Sequence, residues 1–377
     1  MLSTQQNDLL SASASARSVL TRHMPGLDAL RGLAVLAVVF YHGFAYIAPA
    51  FPWQNRLAGT LFHFTLFGWA GVNLFFTLSG FLITGNLIDS EEKPNFYSRF
   101  YIRRALRILP AYFLVLIILG LTRTASPRYL LVCVIFLANW PTLLLHGSFT
   151  LYRVLWSLAV EEQFYLVWPW LYRRLQMKGL FAQCVGMILF CPVLRGVGVV
   201  TLTNRDILSK TFMIGDNLAV GAAIAILCRS QRLSLQGLVR IGVAAICISG
   251  PAILILTIAG HPLRSGALGA SVGYSMLEWL TAGILILVLY AYRTKPLQPG
   301  LGILVFFGDI SYGLYLIHML CGTLYDRIFG HSYLTHAGVL LTRFVAVNSI
   351  AILLAILSKR YFENPIMRLK ERIPAAK

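Results

Sequence analysis

Two ionisable residues in the first long apolar segment have the types and the spacing for acid–base chemistry beside an anion. Arg31 and His42 are eleven residues apart, which in a regular α-helix puts them on one face, about three turns and roughly 16 Å apart. Arginine binds phosphate through its fork of donors, and histidine can accept a hydroxyl proton. A path that binds an anionic donor at Arg31 and removes a proton at His42 is therefore predicted. A buried histidine bonded to backbone, and an arginine that reaches lipid headgroups, remain the alternatives.

Adjacent carboxylates form a second candidate group. Glu161 and Glu162 stand in WSLAVEEQFYLVWP, and one of them faces the interior because neighbours on a helix point about 100° apart. In the catalytic interpretation that carboxylate orients His42, stabilises its protonated ring or binds acceptor hydroxyls. A purely structural salt bridge is the other interpretation. Tyr165 and Asp28 are further supporting candidates.

Three arginines in FYSRFYIRRALRILP form a third group. We expect Arg103, Arg104 and Arg107 at the start of a helix, with Arg104 and Arg107 on one face. Helix starts favour anions, so the cluster fits a phosphate-rich donor such as a coenzyme A thioester. Positive charge that anchors a cytoplasmic loop explains the same cluster equally well.

The remaining polar residues of the apolar segments are weaker candidates. Asp216, in GDNLAVG, is expected either to support the site or to pair with Arg195. His318, in ISYGLYLIHM, is expected to contact substrate or to bond a neighbouring helix. Ser79 lacks the strand–turn–helix context of a nucleophile elbow, so its Ser-Gly pair is assigned to close helix packing. The six cysteines have no metal-ligand spacing and are expected to be small buried hydrophobes, with no metal site.

Long apolar segments must position these residues. The 377 residues are 58% hydrophobic and 12% charged, with a mean hydropathy of +0.72, which lies outside the usual composition of soluble domains. Runs of the length needed to cross a bilayer, about 20 residues, lie near residues 27–47, 61–87, 106–121, 156–171, 180–200, 212–228, 239–258, 272–290, 303–324 and 339–357. The sequence therefore predicts an all-α polytopic transmembrane bundle of about ten helices. We expect one membrane domain, 27–365, between cytoplasmic tails 1–26 and 366–377.

The basic residues orient these segments. A net charge of +18 can indicate a nucleic-acid partner, but here Lys and Arg form short clusters between apolar runs, the pattern of cytoplasmic loops. Both termini are then cytoplasmic, and His42 is expected at mid-membrane. The Ser-rich first 26 residues lack the apolar core of a secretory signal, so we expect them to be disordered.

One apolar stretch does not fit this orientation as a full crossing. Residues 128–145 would make an eleventh span and reverse the side of every later loop. The tripeptide Asn139-Trp140-Pro141 interrupts the stretch, because proline removes an amide donor and disfavours helix at the residue before it. A broken or re-entrant segment is predicted there.

Six motifs, taken in order, resemble one family. They are GLDALRGLAVLAVVFYHGF, GVNLFFTLSGFLIT, FYIRRALRILP, WSLAVEEQFYLVWP, GDNLAVGAAIA and ISYGLYLIHM. Their order is similar to that of the acyltransferase-3 family of membrane sugar O-acyltransferases, from about Leu27 to Pro365. The resemblance implies acyl-CoA, usually acetyl-CoA, as a co-substrate with no bound cofactor. It also implies an acceptor hydroxyl on a polysaccharide, lipopolysaccharide, glycolipid or other glycosylated molecule, in the bacterial inner membrane.

The resemblance also implies residue roles. Arg31 and His42 match the family's Arg, ten residues, His pair, with the His essential, and Glu161 matches its acidic position before Gln-Phe-Tyr. The three arginines near residue 105 match its cytoplasmic arginine motif. Some members carry a periplasmic hydrolase-like domain, and here we expect transfer to finish in the membrane domain or on a separate partner. A secondary transporter or lipid-linked sugar flippase is the alternative, since intramembrane charges also serve translocation.

Overall fold

The regular structure of this protein is helical. A computed structural model describes residues 15–20, 24–48, 56–145, 152–201, 208–230, 233–261, 263–293, 299–331 and 336–369. Within these ranges turns and bends join the helices, and the only β-type pairing is an isolated bridge between Ser15 and Ser234. The chain is a polytopic helical bundle, which confirms the predicted fold class.

Fourteen α-helices carry the argument that follows. In chain order they are α1 Pro25–Phe40, α2 Arg56–Thr65, α3 Gly71–Ile88, α4 Phe96–Leu121, α5 Pro127–Val134, α6 Pro141–Leu144, α7 Leu155–Thr201, α8 Thr211–Arg229, α9 Leu235–Ile258, α10 Tyr274–Ala291, α11 Gly302–Asp309, α12 Ser311–Phe329, α13 Ala337–Ser358 and α14 Asn364–Arg368. Short π segments continue α1 (Tyr41–Ala45), precede α10 (Gly269–Gly273) and join α13 to α14 (Lys359–Glu363).

The number of spans agrees with the apolar runs. Among the described residues eight helical segments are long and apolar enough to cross a membrane, and nine if the bent pair α11 and α12, with 73° between its helices, is one span. The 47-residue α7 is interrupted at Gln176, whose φ of 53° is not helical. Its halves, 155–175 and 177–201, are each at least about 30 Å long and can each cross. If each half is one span, the described part of the chain has ten candidate spans.

The predicted break near residue 140 is present. Helix α5 has 8 residues and α6 has 4, so neither can span a bilayer. Between them Phe136 has a φ of 55°, and Pro141 begins α6 in the first-turn position that proline tolerates. Asn139 is fully buried, as expected for a non-helical stretch covered by protein.

The chain divides into two compact units, which are treated separately below. The first unit comprises residues 1–30, 73–90 and 160–305, and the second comprises residues 31–72, 91–159 and 306–377. In the first unit α10 packs along α9 and against α8. In the second unit α12 packs along α13, and α4 packs against α12 and α14.

Glycines set the separation of two helices in the first unit. A Cβ added at Gly80 of α3 would lie 1.9 Å from the Leu218 carbonyl oxygen, and one added at Gly221 of α8 would lie 1.9 Å from that of Thr77. Only residues without a side chain permit such backbone contact. This confirms the predicted close helix packing at Gly80, the glycine of the Ser-Gly pair.

Two sequence expectations are wrong. Residues 15–20 are ordered: Ala16 and Val19 are buried, and the Ala16 amide donates to the Leu233 carbonyl at 2.9 Å, so these apolar residues cover the start of α9. Cys247, on α9, is exposed although the other five cysteines are buried. The segment containing α9 has little protein cover, and its outer face therefore presents the thiol.

Candidate functional site

His42 lies near the end of the first span, in the second unit. The span runs from Pro25 to Ala45 and changes from α to π hydrogen bonding at Tyr41, one residue before His42. A π turn holds more residues than an α turn, so the regular-helix geometry relating His42 to Arg31 applies only as far as Phe40. His42 is three residues before Ala45, the last residue of this candidate span, and its depth in the membrane stays a prediction. Arg31 is partly buried.

A second histidine is the hydrogen-bond partner of His42. The Nδ1 of His42 lies 2.9 Å from the Nε2 of His318, and the two ring centroids are 5.1 Å apart. The Nδ1 of His318 lies 3.1 Å from the carbonyl oxygen of Leu314, one turn earlier on α12. The structure thus places the sequence candidates His42 and His318 together, although they are 276 residues apart.

These two histidines line a partly polar cavity of about 170 Å³. The other polar residues of its wall are Tyr46, Thr323, Asp326, Arg343 and Asn348. Asp326 accepts two hydrogen bonds from Arg343, at 2.6 and 2.7 Å, so the acid and the cation in the wall balance each other. An engineered cavity of about 150 Å³ holds one benzene molecule, so this cavity has room for a small acyl group or part of a sugar ring.

Tyr46 packs beside His42, just beyond the end of the span. Its ring meets the imidazole edge to face, with centroids 5.3 Å apart and an angle of 87°. Burial raises the pKa of Tyr46 and outweighs Arg153, whose charge and hydrogen bond favour the phenolate. The phenol therefore stays neutral and polar beside the imidazole at ordinary pH.

Glu161 accepts two hydroxyl hydrogen bonds in the first unit. Ser79 donates to its Oε1 at 3.1 Å and Tyr165 to its Oε2 at 2.8 Å, and the two hydroxyl oxygens are 3.0 Å apart. Sequence reasoning paired Tyr165 with this site but assigned Ser79 to packing alone. The missed signal was a hydroxyl in an apolar span, which needs a partner.

Glu162 and Asp28, two further candidate acids in the first unit, are both partly buried. Because Glu161 and His42 belong to different units, the predicted support of His42 by Glu161 stays a prediction.

Asp216 belongs to a fully buried ion cluster in the same unit. Arg195 donates to Asp216 at 2.6 and 2.8 Å, as one sequence interpretation expected, and its second terminal nitrogen lies 3.3 Å from Glu278. Asn217 also donates to Glu278, at 2.9 Å. Sequence reasoning missed Glu278, although an acid inside the apolar run of α10 is itself a signal of a polar site.

The arginine cluster does not lie at a helix start. Helix α4 begins at Phe96, so Arg103, Arg104 and Arg107 are in its second to fourth turns, where the charge of the helix terminus has faded. FYSRFYI contains no helix breaker and simply extends the helix backwards. Arg103 and Arg107 are exposed and share a face. Arg104 is partly buried, and its guanidinium carbon lies 6.0 Å from the centroid of the Phe100 ring.

Comparisons with known proteins place the chain in one family. Residues 24–359 match the family described as an acyltransferase domain. A peptidoglycan O-acetyltransferase of Listeria monocytogenes is 34% identical over 166 residues, which cover 39% of this chain and 24% of the relative. A candidate peptidoglycan O-acetyltransferase of Bacillus subtilis is also 34% identical over 166 residues, which cover 39% of this chain and 23% of the relative.

A longer match covers most of the chain. A candidate O-acetyltransferase of Staphylococcus aureus is 25% identical over 379 residues, which cover 92% of this chain and 58% of the relative. The chain thus spans well under two thirds of the length of these relatives. No solved structure matches.

Proposed function

This chain belongs to the acyltransferase family, and we propose that it is a membrane O-acetyltransferase which moves an acetyl group from cytosolic acetyl-CoA to a hydroxyl of a glycan. Peptidoglycan is the acceptor class in the names of two relatives, so a muropeptide is the first acceptor to test. Polysaccharides, lipopolysaccharides and glycolipids have the same reacting hydroxyl.

The observation that carries this proposal is an imidazole with a defined hydrogen-bond partner on the wall of a partly polar cavity. Histidine is the side chain best suited to take a hydroxyl proton near neutral pH. The cavity of about 170 Å³ beside His42 has room for an acetyl group and a reacting hydroxyl. Acetyl is proposed as the acyl group because the relatives are named O-acetyltransferases.

The reaction is written with His42 as general base. The acceptor hydroxyl loses its proton to His42 while its oxygen bonds to the thioester carbonyl carbon. The carbon–sulfur bond then breaks, and the leaving thiolate takes the proton back from His42, which yields free coenzyme A and the ester. In the relay form, the basic nitrogen of His42 bonds to the thioester carbonyl carbon and the coenzyme A thiolate leaves. The acceptor oxygen then bonds to the same carbon, the imidazole leaves, and the hydroxyl proton goes to the thiolate.

Arginines are the proposed binding groups for the acyl donor. Arg31 and the exposed pair Arg103 and Arg107 offer guanidinium groups for the phosphates of coenzyme A. Their position on the cytoplasmic side of a bacterial inner membrane, with both chain termini inside, is part of the proposal and rests on the basic clusters. Glu161, with its two hydroxyl partners, is proposed to bind or orient a reacting group.

The test is release of coenzyme A from acetyl-CoA by purified full-length protein with a muropeptide acceptor. His42→Ala should lower turnover roughly 10²- to 10⁴-fold, the usual contribution of general-base catalysis. The matched control is His336→Ala, which removes an exposed imidazole at the start of α13. Near wild-type turnover in His42→Ala would remove His42 from the mechanism, and substrate movement without thioester consumption would indicate a transporter instead.

The donor site is tested in the same assay. Arg103→Gln combined with Arg107→Gln should raise the KM for acetyl-CoA with little change in kcat, because the phosphate contacts are made equally in the bound and transition states. Arg128→Gln, which removes an exposed charge from α5, is the control. An unchanged KM in the double variant would reduce the cluster to a membrane-orientation signal.

A further inference from the structure

We propose that His318 is a positioning residue that fixes the tautomer and ring orientation of His42, and so leaves the Nε2 of His42 as the basic nitrogen. The inference rests on the proposed function, in which His42 takes the acceptor proton. In this role a buried neutral imidazole orients the base, as a carboxylate does in Ser-His-Asp enzymes.

The direction of the hydrogen bonds follows from the Leu314 carbonyl. A carbonyl oxygen only accepts, so the Nδ1 of His318, 3.1 Å away, carries a hydrogen. His318 is 4% exposed, and Asp326, the carboxylate that lines its cavity among the described residues, is already bonded to Arg343. Burial with no compensating anion in this described wall keeps the ring neutral. Its Nε2 therefore has no hydrogen and accepts.

The same reasoning decides which nitrogen of the His42 ring carries the hydrogen. The Nδ1 of His42 lies 2.9 Å from the Nε2 of His318, so it must be the donor of this bond. A neutral imidazole with a hydrogen on Nδ1 has its lone pair on Nε2. The chain of hydrogen bonds thus runs from His42 through His318 to the backbone of α12, and it selects one of the two tautomers of His42.

The turn of α12 that carries His318 is itself held in place. The Tyr152 hydroxyl donates to the Leu316 carbonyl at 2.6 Å and accepts from the Leu320 amide at 3.0 Å, so it clamps backbone groups on both sides of His318. The Tyr315 hydroxyl lies 2.6 Å from that of Ser157. A ring on a clamped turn is the rigid support that a reacting group needs.

This support acts throughout the reaction. When the Nε2 of His42 takes the acceptor proton, its Nδ1 hydrogen still points at His318, and the bond becomes charge-assisted and stronger. The developing positive charge is then stabilised by a neutral partner, and no proton has to leave His42 until the thiolate takes it. Without His318, His42 can adopt the other tautomer, with its hydrogen on the nitrogen that should accept.

Two matched variants of His318 test the inference. In His318→Gln the side-chain oxygen can occupy the place of Nε2 and accept from His42. In His318→Asn the shorter amide reaches the position of Nδ1, near Leu314, but not His42. We expect kcat for acetyl transfer to fall roughly 10²- to 10⁴-fold in His318→Asn, with KM for both substrates within about threefold. His318→Gln should keep most of the wild-type turnover.

A spectroscopic measurement separates this inference from the proposed function. In ¹⁵N-histidine NMR of the wild-type protein, with the His42 signals assigned by their loss in His42→Ala, Nδ1 should be protonated and Nε2 unprotonated. His318→Asn should remove that preference, and His336→Asn should not. An Nε2-protonated His42 in the wild type, or equal activity of the Gln and Asn variants, overturns the inference. Full activity of His42→Ala would instead overturn the proposed function and leave the NMR result standing.

Discussion

Replacing Arg195 by methionine should destabilise the protein more than replacing the acid Glu278 by glutamine. Arg195 is fully buried and donates to two backbone carbonyls, to Ser275 at 2.7 Å and to Asp216 at 2.6 and 2.8 Å. Glu278 lies 3.3 Å from the same guanidinium. One cation thus serves two buried acids, and its removal affects both.

The expected magnitudes follow from this charge balance. Arg195→Met leaves Asp216 and Glu278 buried without any cation, and breaking a buried ion pair from one side costs about 3 to 5 kcal/mol. Glu278→Gln keeps one cation and one carboxylate in contact and loses only the weaker interaction, so it should cost about 1 to 2 kcal/mol. In Arg195→Met combined with Asp216→Asn, one of the uncompensated acids is gone, and part of the loss should be recovered.

The assay is equilibrium unfolding of the purified protein in detergent, followed by the fluorescence of its seven tryptophans. All three variants are compared with wild type under the same conditions. Equal losses for Arg195→Met and Glu278→Gln, or a loss below about 1 kcal/mol for Arg195→Met, would refute the view that the cluster is held by charge balance. A double variant less stable than Arg195→Met would refute it as well.

Two further predictions concern packing and reactivity. Gly80→Ala should destabilise the protein in the same unfolding assay because its methyl group would lie 1.9 Å from a backbone oxygen, whereas Gly186→Ala, with open space around it, should be neutral or slightly stabilising. Equal effects would contradict the close helix contact. Burial raises the pKa of the Cys133 thiol to about 12, so at pH 8 only about one part in 10⁴ is thiolate. Mass spectrometry should find Cys133 unmodified by N-ethylmaleimide in the folded protein and modified after denaturation; rapid modification of the folded protein would contradict its burial.

Much of the architecture could be predicted from the residues in order. Hydrophobicity is a local property, so runs of apolar residues predict spans, and the proline of Asn139-Trp140-Pro141 predicts a break that the structure contains. Helix ends were harder to predict. The start of α4 lies at Phe96 rather than near Arg103 because polar and basic residues extend a helix as readily as they end a span.

The sequence by itself determined the class of molecule, the number of crossings and several residues able to do chemistry, because hydropathy, charge and motif order are all read along one chain. Only the tertiary structure decided which of those residues meet. It places His318 beside His42 across 276 residues, and it adds Glu278 to the pair of Arg195 and Asp216. Periodicity shows that a residue lies on a helix face, but not which other face it meets. That choice depends on how whole helices pack, to which distant parts of the chain contribute together.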